Sequence, residues 1–132
     1  MRPGARSVAL ALLACGISGC SAIRFGDPAT LAGEWTGTLT IEGQSIASSL
    51  VIHDGDDLEA LLVAPSLRME AGGEGGLEGG RFTLLLAYEL TCPGTMTLVG
   101  ARQPDSRLTG DLRASDCTGT VLGTFSFRPV AP

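Results

Sequence analysis

The sequence predicts an all-β protein: a small antiparallel meander of about eight strands closing into a barrel, with a β-sandwich as the alternative. Three observations point there. Apolar and polar residues alternate with period two from Glu34 onward, Gly, Pro and Asp interrupt that alternation at short intervals, and no stretch after residue 30 sustains a period of 3.6.

The first strand runs from Glu34 to Ile41. It sets Trp35, Gly37, Leu39 and Ile41 on one face and Thr36, Thr38 and Thr40 on the other, where β-branched threonine suits the wet side. Glu42-Gly43-Gln44 turns the chain into Ser45 to His53, whose inner face is Ile46, Ser48, Leu50 and Ile52. Asp54-Gly55 is the strongest hairpin signal, because Asp-Gly supplies the positive φ angles of a two-residue turn. Leu58 to Val63 follows as a third strand stopped by Pro65, and Leu67, Met69 and Ala71 predict a short fourth. The segment Ala71 to Gly80, AGGEGGLEGG, reads as a flexible connection. Neither a dinucleotide fingerprint nor a P-loop fits it, and Glu74 and Glu78 would repel phosphate.

Phe82 to Leu90 is a long fifth strand. Cys92-Pro93-Gly94-Thr95 predicts a type II turn, with Pro-Gly at its centre. The sixth strand carries Met96, Leu98 and Gly100, and Gln103 to Ser106 forms the next turn. The seventh carries Leu108, Gly110, Leu112 and Ala114; the eighth carries Val121, Gly123, Phe125 and Phe127. Glycines inside strands suit a small sheet that curls on itself.

Ahead of this pattern lies a different kind of segment. Arg2 and Arg6 precede the apolar run Val8 to Ile17, about ten residues long, whereas a bilayer-spanning helix needs about 20. That is the length of a secretory signal. Ile17-Ser18-Gly19-Cys20 resembles the lipobox of bacterial lipoproteins. The resemblance implies cleavage after residue 19 and lipidation of the Cys20 thiol. Acyl chains contribute about 0.8 kcal/mol per buried methylene, so several of them would anchor the domain to the membrane without a transmembrane helix. Leu12-Leu13-Ala14-Cys15 also fits the box, but it would leave a hydrophobic core of only about seven residues, so Cys20 is the preferred site. Ser21, rather than Asp, after that cysteine implies the outer membrane, with the domain facing the periplasm. The expected organisation is therefore a signal peptide at 1–19, a lipidated N-terminus and tether at 20–30, and one β-barrel domain at 31–132.

Loss of the signal removes Arg2 and Arg6, taking the net charge from −5 to about −7. Every basic residue is Arg. An acidic surface of this kind argues against nucleic acid, whose binding depends on clustered Lys and Arg. Cys92 and Cys117 remain in the mature chain as an even pair, read as a disulfide in an exported protein. Bridging a loop of about 25 residues would stabilise by about 3–4 kcal/mol in the chain-entropy model.

Gly33-Glu34-Trp35-x-Gly37 resembles the opening Gly-x-Trp of lipocalin and avidin-like barrels. That resemblance implies that Trp35 closes one end of the barrel with an arginine near the last strand packed across it, for which Arg128 is the candidate. Trp35 is equally read as the largest core side chain. The acidic turn Asp54, Asp56, Asp57 and Glu59 beside His53 lacks the spacing of a calcium loop and reads as turn chemistry, so no metal is expected. The lone His53 and the serines Ser45, Ser48 and Ser49 carry no nucleophile motif, and no cofactor motif is present; the chain is not read as an enzyme. The expectation is an anchored binding domain of the cell envelope. A hollow barrel would take a small apolar ligand between Trp35, Leu39, Leu84, Leu86 and Phe125. A solid barrel would act through its surface on an envelope protein or as an inhibitor of a foreign enzyme.

Overall fold

The computed structural model describes residues 31–130. The signal peptide, Cys15, Cys20 and the tether lie outside the described residues. Eight strands follow in order: β1 (Gly33–Ile41), β2 (Gln44–His53), β3 (Leu58–Ala64), β4 (Met69–Glu78), β5 (Arg81–Glu89), β6 (Pro93–Arg102), β7 (Leu108–Asp116) and β8 (Gly119–Pro129). Each pairs antiparallel with the next, and β8 returns to β1, so the sheet is a closed barrel with no free edge. It is this closure, rather than a sandwich, that the alternation builds.

Following hydrogen-bonded partners once around the barrel returns to β1 displaced by about ten residues, which tilts the strands as a small barrel requires. Alternate residues point inward throughout. Trp35 and Leu39, Leu50 and Ile52, Leu58 and Leu62, Phe82, Leu84 and Leu86, Leu98, Leu112, Phe125 and Phe127 make one continuous core. The outer wall carries mainly Thr, Ser, Glu and Arg. A transmembrane barrel has the opposite polarity, with apolar residues outward.

Two turns take their shape from glycine. Glu42 and Gly43 have φ of 53° and 81°, and Ile41 pairs with Gln44 around them; Gly79 and Gly80 have φ of 60° and 83° between Glu78 and Arg81. Both are two-residue hairpins with positive φ at each central position, as the right-handed twist of the strands demands. Asp54-Gly55 does not make one. There β2 and β3 are joined by a four-residue loop, Asp54 to Asp57, and Gly55 has no positive φ. Ladder pairing stops at His53 with Glu59, leaving too much chain for the tight turn.

The glycine-rich segment is a strand rather than a flexible connection. β4 runs ten residues through Gly72, Gly73, Gly75 and Gly76 and pairs on both sides. At Gly73 and Gly75 a Cβ would strike the carbonyl oxygens of Leu85 and Thr83, so these inward positions let β5 pass close over β4. The type II turn at Pro93-Gly94 is also absent: Pro93 opens β6, Gly94 has no positive φ, and the bend lies at Leu90 to Cys92, where the Leu90 N–H donates to the Cys92 carbonyl at 3.3 Å. Proline is tolerated as the first residue of a strand, where its missing donor leaves the ladder intact.

Candidate functional site

The barrel offers three places for function: its interior, its two ends and its outer wall. Leu39, Leu84 and Leu86 are fully buried, and Trp35 and Phe125 are 3% exposed. A void large enough for water would expose the side chains lining it, so the space between these five residues is filled by protein. Phe125 sits with its ring centroid 5.9 Å from both Phe82 and Phe127. It occupies the room left by Gly100, where a Cβ would meet the Phe125 ring at 2.8 Å. Sequence alternation alone does not separate a hollow barrel from a solid one; the aromatic rings packed against glycines on facing strands do. Of the two alternatives, the hollow and the solid barrel, these residues form the solid one by close packing.

Trp35 closes one end. Its indole Nε1 donates to the Leu31 carbonyl at 3.0 Å, and Leu31 is itself 2% exposed, so the chain enters the domain by laying Leu31 over this end of the barrel. The guanidinium over the indole belongs to Arg102, 5.4 Å from the ring centroid. Arg128, expected in that place, does not fill it. Phe125 and Phe127 point inward on β8, so parity turns Arg128 outward, opposite Thr36 of β1. The same parity selects Arg102, which continues the inward series Met96, Leu98 and Gly100 on β6. That signal was present in the sequence.

The opposite end is held covalently. Cys92 and Cys117 form a disulfide with their Cα atoms 6.2 Å apart. The cysteines flank the β6–β7 ladder, one just before Pro93 and the other just after Asp116, so adjacent strands already bring them together. The Cys117 N–H also points at the Cys92 sulfur at 3.1 Å. Beside the bridge, the Tyr88 hydroxyl donates to Asp116 Oδ2 at 3.2 Å. Asp116 Oδ1 in turn accepts from the Thr118 N–H and hydroxyl. These hydrogen bonds from Thr118 hold the Asp116 carboxyl below its ordinary range, and desolvation by burial pushes the Tyr88 phenol above its own.

His53 lies exposed at the end of β2, paired with Glu59. Ser48 is buried with its hydroxyl donating to the Ile46 carbonyl of its own strand, while Ser45 and Ser49 face outward. Among the described residues no three His, Cys, Asp or Glu side chains converge as metal ligands. The geometry therefore brings together neither a triad nor a cation site from these residues.

On the outer wall an apolar feature spans β3 to β5. Leu85 is 57% exposed and Leu61 is 42% exposed, on either side of β4, where Leu61 pairs with Gly72 and Gly72 with Ala87. The bare glycine leaves a hollow of about 350 Å³ against Leu85, Leu86 and Ala87. Glu59, Glu70, Glu74 and Glu89 surround it, all exposed. The chain matches no protein-family model, no curated protein and no solved structure, so the reading of its function rests on this geometry and on the sequence motifs.

Proposed function

We propose that this chain is a lipid-anchored protein of the bacterial envelope, held by Cys20 at the periplasmic face of the outer membrane, whose solid barrel binds another protein through its outer wall. The hollow over Gly72, lined by Leu85 and Ala87 with Leu61 beside it, carries the reading. In a domain with a filled interior, the wall is what remains for recognition, and an exposed apolar depression rimmed by charge is the usual form of a protein-binding surface.

The rim sets the partner's chemistry. Between His53 and Glu89 acidic residues outnumber arginines by eight to two. A partner presenting an apolar side chain among Lys and Arg would fill the hollow and meet the glutamates, and its approach would be accelerated by the field. An inhibitor of a basic foreign enzyme and a scaffold for a basic envelope protein both satisfy this description. The disulfide is consistent with an oxidising compartment.

The test places a photo-crosslinking residue at Leu85 in cells and, as a control, at Leu122, which is 69% exposed on β8. A discrete adduct is expected from Leu85 alone. It should disappear in the paired Glu59→Gln and Glu74→Gln variant and persist in Glu42→Gln. Adducts of equal yield from both positions, or indifference to the paired substitution, would defeat the reading. Palmitate labelling should be lost in Cys20→Ala; labelling that survives moves the anchor to Cys15.

A further inference from the structure

We propose that a second site, on the outer wall where β7, β8 and β1 meet, binds a phosphate group carried on a larger molecule. This inference stands apart from the protein-binding reading and uses a different face of the barrel.

Leu108 and Phe127 form the last pair of the β7–β8 ladder, both pointing inward. One step beyond, Arg107 and Arg128 therefore face outward, opposite each other on neighbouring chain segments. Arg128 pairs in turn with Thr36 on β1. In the adjacent register, Ser126 pairs with Thr38. Arg107, Arg128, Thr36, Thr38 and Ser126 line one cleft of about 290 Å³.

Like charges placed directly opposite across strands destabilise a sheet. This chain has 14 acidic residues against 9 basic ones, yet two of its arginines line one cleft and Arg128 has a threonine as its cross-strand partner. Arg107 is held in place by the β6–β7 turn. The Arg107 carbonyl accepts from the Gln103 N–H at 2.7 Å, and its own N–H donates to Asp105 Oδ1 at 3.1 Å. The other Asp105 oxygen lies 3.6 Å from Arg107 Nε in a contact open to solvent on both sides, which neutralises little. An anion seated between the guanidinium groups turns their repulsion into attraction.

The donor set selects the anion. A carboxylate has two oxygens and is satisfied by one guanidinium fork. Two forks with three hydroxyls suit a tetrahedral, doubly charged group, and the volume leaves room for what the phosphate is attached to. Nucleic acid, with many phosphates, would meet the net negative charge of the whole domain. The cleft lies at the Trp35 end, where Leu31 brings the chain into the barrel. An acylated Cys20 would turn this end toward a bilayer, so a lipid headgroup and a soluble phosphate ester offer the same chemistry.

Thermal unfolding of the purified protein in neutral detergent separates these sources. Inorganic phosphate or glycerol 3-phosphate, at about ten times its Kd, should raise the midpoint by several degrees over chloride of equal ionic strength. Phosphatidylglycerol doped into the micelles is the lipid arm. A rise in the first arm alone assigns a soluble ester; a rise in the second alone assigns a headgroup. The increment should vanish in the Arg107→Ala, Arg128→Ala variant and persist in Arg113→Ala, which changes an exposed arginine elsewhere on β7. In low-salt chloride, Arg128→Ala should unfold no earlier than the parent, since it removes the repulsion. No increment in either arm, or an increment retained by the double variant, overturns the proposal, as does early unfolding of Arg128→Ala.

Discussion

The two ends of the barrel are secured by different physics. At the Trp35 end the closure is a packed plug: an indole beneath Leu31, one hydrogen bond to the Leu31 carbonyl, and the Arg102 guanidinium across the ring. At the other end a disulfide between Cys92 and Cys117 ties the β5–β6 loop to the β7–β8 loop, with Tyr88 and Asp116 beside it. The plug stabilises the folded state through contacts made only there. The disulfide acts largely on the unfolded chain, by removing conformations it would otherwise sample. A small domain with one modest core benefits from both, because each end of a short barrel exposes core to water unless something covers it.

Trp35→Ala should show the largest effect, a loss of about 3–5 kcal/mol in denaturant unfolding, since it empties the plug and leaves Leu31 with nothing to cover. A loss below about 1 kcal/mol would mean that the Trp35 end is not a closure at all. Removing the bridge with Cys92→Ala and Cys117→Ala comes next, at about 3–4 kcal/mol for a loop of about 25 residues. The two variants should also differ in kind. The bridge-less protein should keep the near-ultraviolet signature and emission of the single tryptophan, and Trp35→Ala should leave the disulfide formed by thiol counting. Arg102→Ala is the smallest of the three, at about 0.5–1 kcal/mol, with a change in Trp35 emission. Arg128→Ala should leave that emission as it was. An emission change from Arg128 instead would restore the arrangement first expected from the Gly-x-Trp resemblance.

The contrast also separates what was readable in the chain from what was not. The strands at both ends were legible because alternation is a local property: each residue's face is set by its neighbours two positions away. Cys92 and Cys117 were legible for a related reason: with Cys15 and Cys20 assigned to the signal and the lipobox, one pair is left and has a single way to bond. Arg128 lies nearer the last aromatic residues in sequence, but strand parity turns it outward and carries Arg102 inward over Trp35. At β4 the error was of another kind. Glycine's low strand propensity suggested a linker, but its lack of a side chain is what lets β5 approach, a contact that belongs to the pairing and not to the segment. The turns follow the same rule: Asp54-Gly55 has the stronger hairpin composition, yet register places tight turns at Glu42-Gly43, Gly79-Gly80 and Cys117-Thr118.

From its order of residues alone, this protein's class, its wet and dry faces and its Cys92–Cys117 crosslink follow, because each depends on spacing along one strand or on a count. Whether the barrel is filled, and that Arg128 meets Thr36 across the β8–β1 seam, were decided only by closure. Those contacts join residues far apart in the chain, and they depend on how strand pairing accumulates around the whole barrel rather than on any one segment.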